Sequence, residues 1–299
     1  MIFGVGAGLL SVLFICGSYI FSREYVRVHQ SPVKLAVFSQ LVMSAGSLVL
    51  LAVYLSCHTL CFNKELILLI AGQVITFLLG QTAFFAVLHH VESSRVSALL
   101  GLKITVIALL AVCFGKSLEF RQWAAVILCT IGAVGMNFSG GRIPFKSCCF
   151  LALAVISYAL CDMCVTELMK LMPGESMLFN SFGVIGICFS VMGAAVLPAA
   201  LIKYKVNVRT LKAVLPYSLL YFLSMIFLYT SFGFIGVVYG SIIQSGRGIL
   251  SVLLAIVLVH YQLDRNERPV GAGKWIQRFV FAAVMVTAML MYSLSVHAG

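Results

Sequence analysis

Two cationic side chains stand alone inside long apolar segments, where packing gives no reason for a charge. Lys103 and Arg247 each lie near the middle of a segment long enough to cross a membrane. A charge at the bilayer centre costs about 2.5 to 3.5 kcal/mol on insertion scales and is retained where it faces a cavity or a partner. Because arginine offers a planar fork and lysine a mobile point charge, the two predict a site for an anion: a carboxylate, a phosphate or a phosphorylated sugar.

A nearby acid supports a second interpretation. Asp162 lies inside the sixth apolar segment, and Glu167 follows about a turn and a half later. A pair between Asp162 and Lys103 or Arg247 would be a structural or gating ion pair, broken and remade between conformations, with the substrate recognised elsewhere. A third interpretation gives the site a mixed role, in which a zwitterionic amino acid contacts both signs. The sequence leaves all three open.

Other polar residues are candidates for the same functional region. Gln244 stands three residues before Arg247, on nearly the same helix face, and Tyr239 could line a wet cavity, so we expect both to bind the substrate. His89 and His90 end the third segment and could titrate in a coupling or gating step. Weaker candidates, for bonds to a solute or between helices, are Gln73, Gln81, Asn180, Tyr158, Tyr221 and Tyr229.

The chain carries no signature of catalysis or metal binding. HExxH, the P-loop, GxSxG and GxGD are all absent, which excludes ATP-driven pumping by this chain alone and argues against an enzyme. Cys161 and Cys164 form a CxxC motif, but neither a polar setting nor further ligands stand beside them. We therefore expect no catalytic residue, no metal and no cofactor.

These candidates belong to a chain with the composition of a membrane protein. Of its 299 residues, 62% are apolar and 10% charged, against about 45 to 50% and about 25% in soluble domains. A transmembrane helix needs about 20 mostly apolar residues, and the chain divides into ten such segments. They cover residues 2–21, 34–55, 66–88, 96–114, 121–138, 148–171, 177–202, 211–234, 236–259 and 276–296.

The two halves of the chain are related to each other. Residues 85–111 align with residues 229–255, an alignment that pairs Lys103 with Arg247. With five segments per half, the second half enters the membrane upside down, as in the inverted repeats of many secondary transporters. The sequence thus predicts an all-α integral membrane protein with ten transmembrane helices in two inverted five-helix repeats, residues 1–141 and residues 142–299.

The formal net charge of +11 is explained by basic residues in the loops between the apolar segments. Basic residues concentrate in the loops after odd-numbered segments, which the positive-inside rule assigns to the cytoplasm, so both termini would lie outside. No basic run with interleaved aromatic residues offers a platform for nucleic-acid bases, and we expect no nucleic-acid partner. The expected partners are the lipid bilayer and a small solute, and whether the chain forms a homodimer stays open. The expected location is the inner cell membrane, with an organelle membrane such as Golgi or plastid as the alternative.

Short motifs in both halves resemble a known group of transporters. The first half of the chain resembles the EamA-type module of the drug/metabolite transporter superfamily. The residues that carry this resemblance are 85–88, 93–100, 108–112, Gly115, Gln122, Trp123 and 131–135. Residues 246–254 are similar to the ninth helix of nucleotide-sugar and sugar-phosphate translocators in that superfamily. The resemblance implies a ten-helix secondary transporter in which Lys103 and Arg247 contact an anionic substrate, because they look like the phosphate-binding Lys and Arg of plant-type translocators. Members usually place their termini in the cytoplasm, opposite to the loop count.

The sequence therefore predicts a secondary active transporter that moves a small anionic metabolite by alternating access. The alternative within transport is a proton-coupled exporter of amino acids or drugs, in which Asp162 or the histidines carry the proton. From another class, a non-transporting membrane receptor or assembly protein would not need buried charges at matched positions.

Overall fold

The computed structural model describes residues 2–60, 62–88, 90, 91, 96, 99–115, 117–137, 143–174, 176–204, 207–247, 250 and 272–297. Over these residues the fold is all-helical. The helices are α1 (Ile2–His29), α2 (Pro32–Cys57), α3 (Lys64–Leu88), α4 (Lys103–Cys113), α5 (Phe120–Asn137), α6 (Phe145–Leu171), α7 (Met177–Pro198), α8 (Val208–Ser245) and α9 (Ala272–His297). A 3₁₀ turn, Leu100–Leu102, precedes α4, and a π-helical stretch, Ala199–Tyr204, follows α7.

Six segments of the described chain are long and apolar enough to cross a membrane. They are Ile2–His29, Pro32–Cys57, Lys64–Leu88, Phe145–Leu171, Met177–Tyr204 and Val208–Ser245. Two shorter apolar helices, Leu100–Cys113 and Phe120–Gly135, stand between the third and fourth of them. Helices satisfy their own backbone hydrogen bonds, which a lipid environment demands. The predicted all-α integral membrane class is confirmed.

Local chemistry sets several helix boundaries. Pro32 occupies the start of α2, where its missing N–H removes no helical hydrogen bond. The side chain of Asn207 accepts a hydrogen bond of 2.9 Å from the backbone N–H of Arg209 and so caps α8. Pro198 ends the regular part of α7, because its ring disrupts α-helical bonding, and the π-helical stretch follows.

Element α8 comprises two helices that meet at a single glycine, and they correspond to the predicted eighth segment and the described start of the ninth. Gly236 has φ +75° and ψ 164°, a conformation open to glycine and strained for other residues. A Cβ on Gly240 would lie 2.5 Å from the ring of Phe232, so the chain turns back on itself at the break. We call residues 208–235 the first arm and residues 237–245 the second arm. The predicted ninth segment beyond residue 250 lies outside the described residues.

The helices pack in pairs: α1 with α8, α2 with α7, α3 with α6, and α5 with α9. Small residues let the backbones approach closely, as is common between membrane helices. A Cβ on Gly186 of α7 would lie 2.9 Å from the Cα of Leu51 in α2. This close packing holds the helices that surround the interior in a fixed register.

Antiparallel pairing gathers basic residues at one end of the molecule. The hydroxyls of Ser11 and Ser224 lie 3.0 Å apart, and Gly4 approaches Phe234, so α1 and the first arm run in opposite directions. The residues at the basic end are Arg23, Arg27, Lys34, Lys146, Lys203, Arg209 and Lys212, with Glu24 among them. The opposite end carries Lys64, Glu65, Glu119, Arg121, Glu167 and Lys170, whose charges balance.

Candidate functional site

A buried cavity lies among α1, α3, α4, α6 and α8. Every lining side chain is buried. The charged and polar ones are Lys103, Asp162, Gln244 and Arg247. The aromatic ones are Tyr19, Phe77, Tyr158, Tyr221 and Tyr229, and the others are Ile15, Cys161, Met225 and Leu228. The cavity therefore brings together the four charged or polar residues that the sequence placed in different segments.

Lys103 is held between two other helices. Its Nζ lies 2.5 Å from Oδ2 of Asp162 in α6, and it donates a hydrogen bond to Oε1 of Gln244 in the second arm. The Lys103 and Asp162 side chains are 6% and 7% exposed, so the ion pair is shielded from solvent. The pair that the second interpretation predicted is present, and Lys103 is its cation.

Arg247 is fixed against α1. Its side chain interacts electrostatically with Tyr19, and its backbone carbonyl accepts a bond of 3.4 Å from the thiol of Cys16. Arg247 is 3% exposed and lines the same cavity as Lys103. The two cations predicted from the repeat therefore face one buried space.

Both cations follow an interruption of regular helix. Lys103 is the first residue of α4, directly after the 3₁₀ turn. Arg247 follows Gly246, the residue that ends the second arm. Irregular turns of this kind often mark functional positions in helices, because they free backbone groups and change side-chain direction.

Aromatic side chains form one side of the cavity, and one of their hydroxyls is bonded to a neighbouring helix. The amide of Gln73 donates a 3.1 Å bond to the hydroxyl of Tyr229. The ring of Phe77 lies 6.2 Å from that of Tyr158 and 6.1 Å from that of Tyr221, so three helices contribute to one aromatic wall.

Beside the cavity, a polar network joins α2, α3 and α8. Gln40 donates a 2.5 Å hydrogen bond to Gln81, and Gln81 donates a 2.9 Å bond to the hydroxyl of Tyr217. The ring of Tyr217 lies 5.4 Å from that of Tyr221, which lines the cavity. Gln81 and Gln73 thus bond between helices, one of the two roles that the sequence left open for them.

Other predicted site residues lie outside the cavity lining. Tyr239 is buried in the second arm. Five residues before Gln244, it is turned about 140° around the helix. His90 is exposed after the end of α3, where its backbone N–H bonds to the Val87 carbonyl, and His89 lies outside the described residues. Asn180 bonds to the Gly174 carbonyl near the start of α7.

Sequence reasoning missed two aromatic members of the lining. Phe77 and Tyr221 stand 144 residues apart, as Lys103 and Arg247 do, and are therefore equivalent positions of the internal repeat. The repeat could have identified Phe77 as a lining residue, because Tyr221 was already a candidate. Tyr19 gave no such signal, because its role depends on the approach of Arg247 to α1 in the folded chain.

Comparisons with known proteins address the fold and the family. Residues 2–138 match the model of the EamA-like transporter family. A comparison with curated proteins finds no match. A solved structure described as "Crystal structure of protein" has a TM-score of 0.66 at 12% identity, covering 97% of this chain and 96% of that one, which indicates a shared fold across both halves. Residues 2–138 therefore belong to the EamA-like transporter family of the drug/metabolite transporter superfamily, as the resemblance in the sequence predicted, and the chain is a multi-pass membrane protein.

Proposed function

We propose that the protein is a secondary active transporter that carries a small anionic metabolite across the membrane by alternating access. The observation that carries this proposal is the meeting of Lys103 and Arg247, one from each half of the chain, in a single buried cavity. Lys103, Arg247 and Gln244 bind the substrate, and Asp162 acts in coupling or gating.

The charge of the lining favours an anion. Lys103 and Arg247 contribute two positive charges, and Asp162 contributes one negative charge. Buried charges are costly in a membrane unless opposite charges offset them. An anion in the cavity would make the lining and its contents neutral, so we expect the loaded state to be more stable than the empty one.

The packing supports two inverted five-helix repeats, residues 1–141 and 142–299. A shift of 144 residues carries Lys64, the first residue of α3, onto Val208, the first residue of α8. The same shift relates α1 to α6 and α2 to α7, to within one residue at their starts. When each helix is replaced by its equivalent in the other repeat, the α1–α8 pair corresponds to the α6–α3 pair. Both pairs pack extensively. We propose that each half contributes five helices, with the two arms of α8 counted separately.

The ion pair supplies a mechanism for coupling the site to a conformational change. An anion that approaches Lys103 competes with Asp162 for the same Nζ atom. The contacts between α4 and α6 then differ between loaded and empty states, and a ligand shifts a conformational equilibrium by such differential contacts. Inverted repeats with a central site and interrupted helices are the arrangement that alternating access uses.

We also propose an orientation and a location. The basic end of the molecule faces the cytoplasm by the positive-inside rule, which leaves the start of α1 on the opposite side. The location is the inner cell membrane, with an organelle membrane such as Golgi or plastid as the alternative. Labelling of a cysteine introduced near residue 2 by an impermeant reagent, in intact cells, tests the orientation.

Uptake by the purified protein in proteoliposomes tests the function. A first screen for thermal stabilisation with carboxylates, phosphorylated sugars, nucleotide sugars, amino acids and organic cations identifies a ligand, because a ligand of the folded state raises apparent stability. Lys103→Ala and Arg247→Ala should each abolish uptake of that ligand, and Lys212→Ala, at the exposed basic end, should not. Unchanged uptake in both cavity variants contradicts the proposal, and binding without uptake by the wild type favours a receptor.

A second candidate, favoured by the buried carboxylate of Asp162, is a proton-coupled exporter of amino acids or drugs. If Asp162 carries the proton, Asp162→Asn should keep ligand exchange and lose uptake driven by a pH gradient. If the residue acts in gating alone, exchange and gradient-driven uptake should fall together.

A further inference from the structure

The walls of the cavity present ring carbon more than hydroxyl groups. Four tyrosines line it, and the hydroxyl of Tyr229 already accepts a hydrogen bond from Gln73. Phe77, Met225, Leu228 and Ile15 add further apolar surface. A polyhydroxylated ligand would lose its water contacts against these rings and apolar side chains, which is unfavourable unless each hydroxyl gains a partner.

The polar groups and the rings occupy neighbouring regions of the cavity. Tyr158 and Asp162 stand four residues apart on α6, so their side chains share a face and are separated by about 6 Å. Lys103 contacts both Asp162 and Gln244, whereas the ring of Phe77 packs against those of Tyr158 and Tyr221. The cavity therefore has a charged region and an aromatic region about one helical turn apart.

We propose, on the basis of the function proposed above, that the transported anion is an aromatic carboxylate, with its acid group a few bonds from a planar ring. The carboxylate contacts Lys103, Gln244 and the planar fork of Arg247, which suits two parallel hydrogen bonds. The ring packs against Phe77, Tyr158 and Tyr221, since aromatic pairs favour centroid distances of about 4.5 to 7 Å.

Three probes separate the contributions of charge, ring and hydroxyl groups. Phenylpropionate has the carboxylate and the aromatic ring, cyclohexylpropionate has the same carbon skeleton without aromaticity, and glucose phosphate is an anion rich in hydroxyls. Binding to the purified full-length protein is measured by ligand-dependent thermal stabilisation and by competition in proteoliposome uptake. We expect phenylpropionate to bind about two- to tenfold more tightly than cyclohexylpropionate, and glucose phosphate not to bind.

Variants of the aromatic wall test the assignment of the ring site. Phe77→Leu should remove the preference for phenylpropionate over cyclohexylpropionate, and Phe77→Tyr should retain it. The control is Phe14→Leu, because Phe14 stacks on Phe227 outside the cavity, and this change should leave the preference intact. If Phe77→Leu does not fold, the ratio of the two carboxylate affinities in the wild-type protein still decides the proposal.

The outcomes distinguish this inference from the function on which it rests. Equal affinity for the two carboxylates, or binding of glucose phosphate alone, overturns the aromatic substrate and leaves anion transport standing. Stabilisation by organic cations and by none of the anions overturns both.

Discussion

The Nζ atom of Lys103 lies 2.5 Å from Oδ2 of Asp162, across the interface between α4 and α6 and away from solvent. Removing one member of a buried ion pair leaves an uncompensated charge, whereas replacing both by apolar side chains can be neutral or stabilising. Stability and transport should therefore respond differently to single and double substitutions at this pair.

The first prediction concerns stability. Lys103→Met or Asp162→Leu alone should lower the free energy of unfolding by about 3 to 5 kcal/mol, and the double variant should recover most of the loss. Thermal unfolding in detergent measures the effect. Lys170→Met is the control, because its pair with Glu167 is exposed and should contribute less than about 1 kcal/mol. A double variant as unstable as the single ones would show that the pair is not the cause.

Transport by the double variant is a separate prediction. Lys103→Met with Asp162→Leu should fold and yet fail to accumulate the anion, since the cation that binds it is gone. Uptake by proteoliposomes with equal amounts of wild-type and double-variant protein measures the difference. Substantial uptake by the stable double variant would argue that the pair is structural.

The third prediction uses the geometry of the Arg247 side chain. Arg247→Lys keeps the charge but removes the planar fork and the pairing with Tyr19, so anion affinity should fall about tenfold. Arg209→Lys is the matched control, because Arg209 lies at the exposed start of α8 and should have no effect. Equal dissociation constants for the wild type and Arg247→Lys would mean that the site needs charge alone.

The fourth prediction concerns the break in α8. Gly236→Ala places a Cβ on a backbone with φ +75°, which should cost about 1 to 3 kcal/mol of stability. Gly6→Ala is the control, since Gly6 lies within α1 and a Cβ there has nothing within 4 Å. Unfolding midpoints of the two variants, compared with the wild type, measure the difference. If both changes were equally mild, the turn between the arms would adapt to a side chain.

A fifth prediction concerns the hydrogen bond behind the cavity. Gln73→Leu and Tyr229→Phe should be coupled by about 0.6 to 2 kcal/mol in a double-mutant cycle, as interhelical bonds in membranes are. Gln73→Leu combined with Ser56→Ala, an exposed residue on another helix, should be additive. Additivity in the first cycle as well would mean that the bond makes no net contribution.

Much of the site could be predicted, because its central residues break the local rule for an apolar segment. Lys103, Arg247 and Asp162 were recognisable as charges at membrane depth, and they do line one cavity. Residue type alone predicts a cavity-lining role for Tyr239, but the helical rotation between Tyr239 and Gln244 turns it away from the cavity lining.

The sequence by itself determined that this protein lies in a lipid bilayer, and it determined the approximate limits of its helices. Hydropathy is a local property, and a backbone in lipid must satisfy its own hydrogen bonds, so long apolar segments become helices wherever they occur. Tertiary structure decided which polar groups meet: that Lys103 pairs with Asp162, and that Arg247 interacts with Tyr19. Those contacts depend on the rotation and register of each helix, which are fixed by many weak packing contacts between segments distant in the chain.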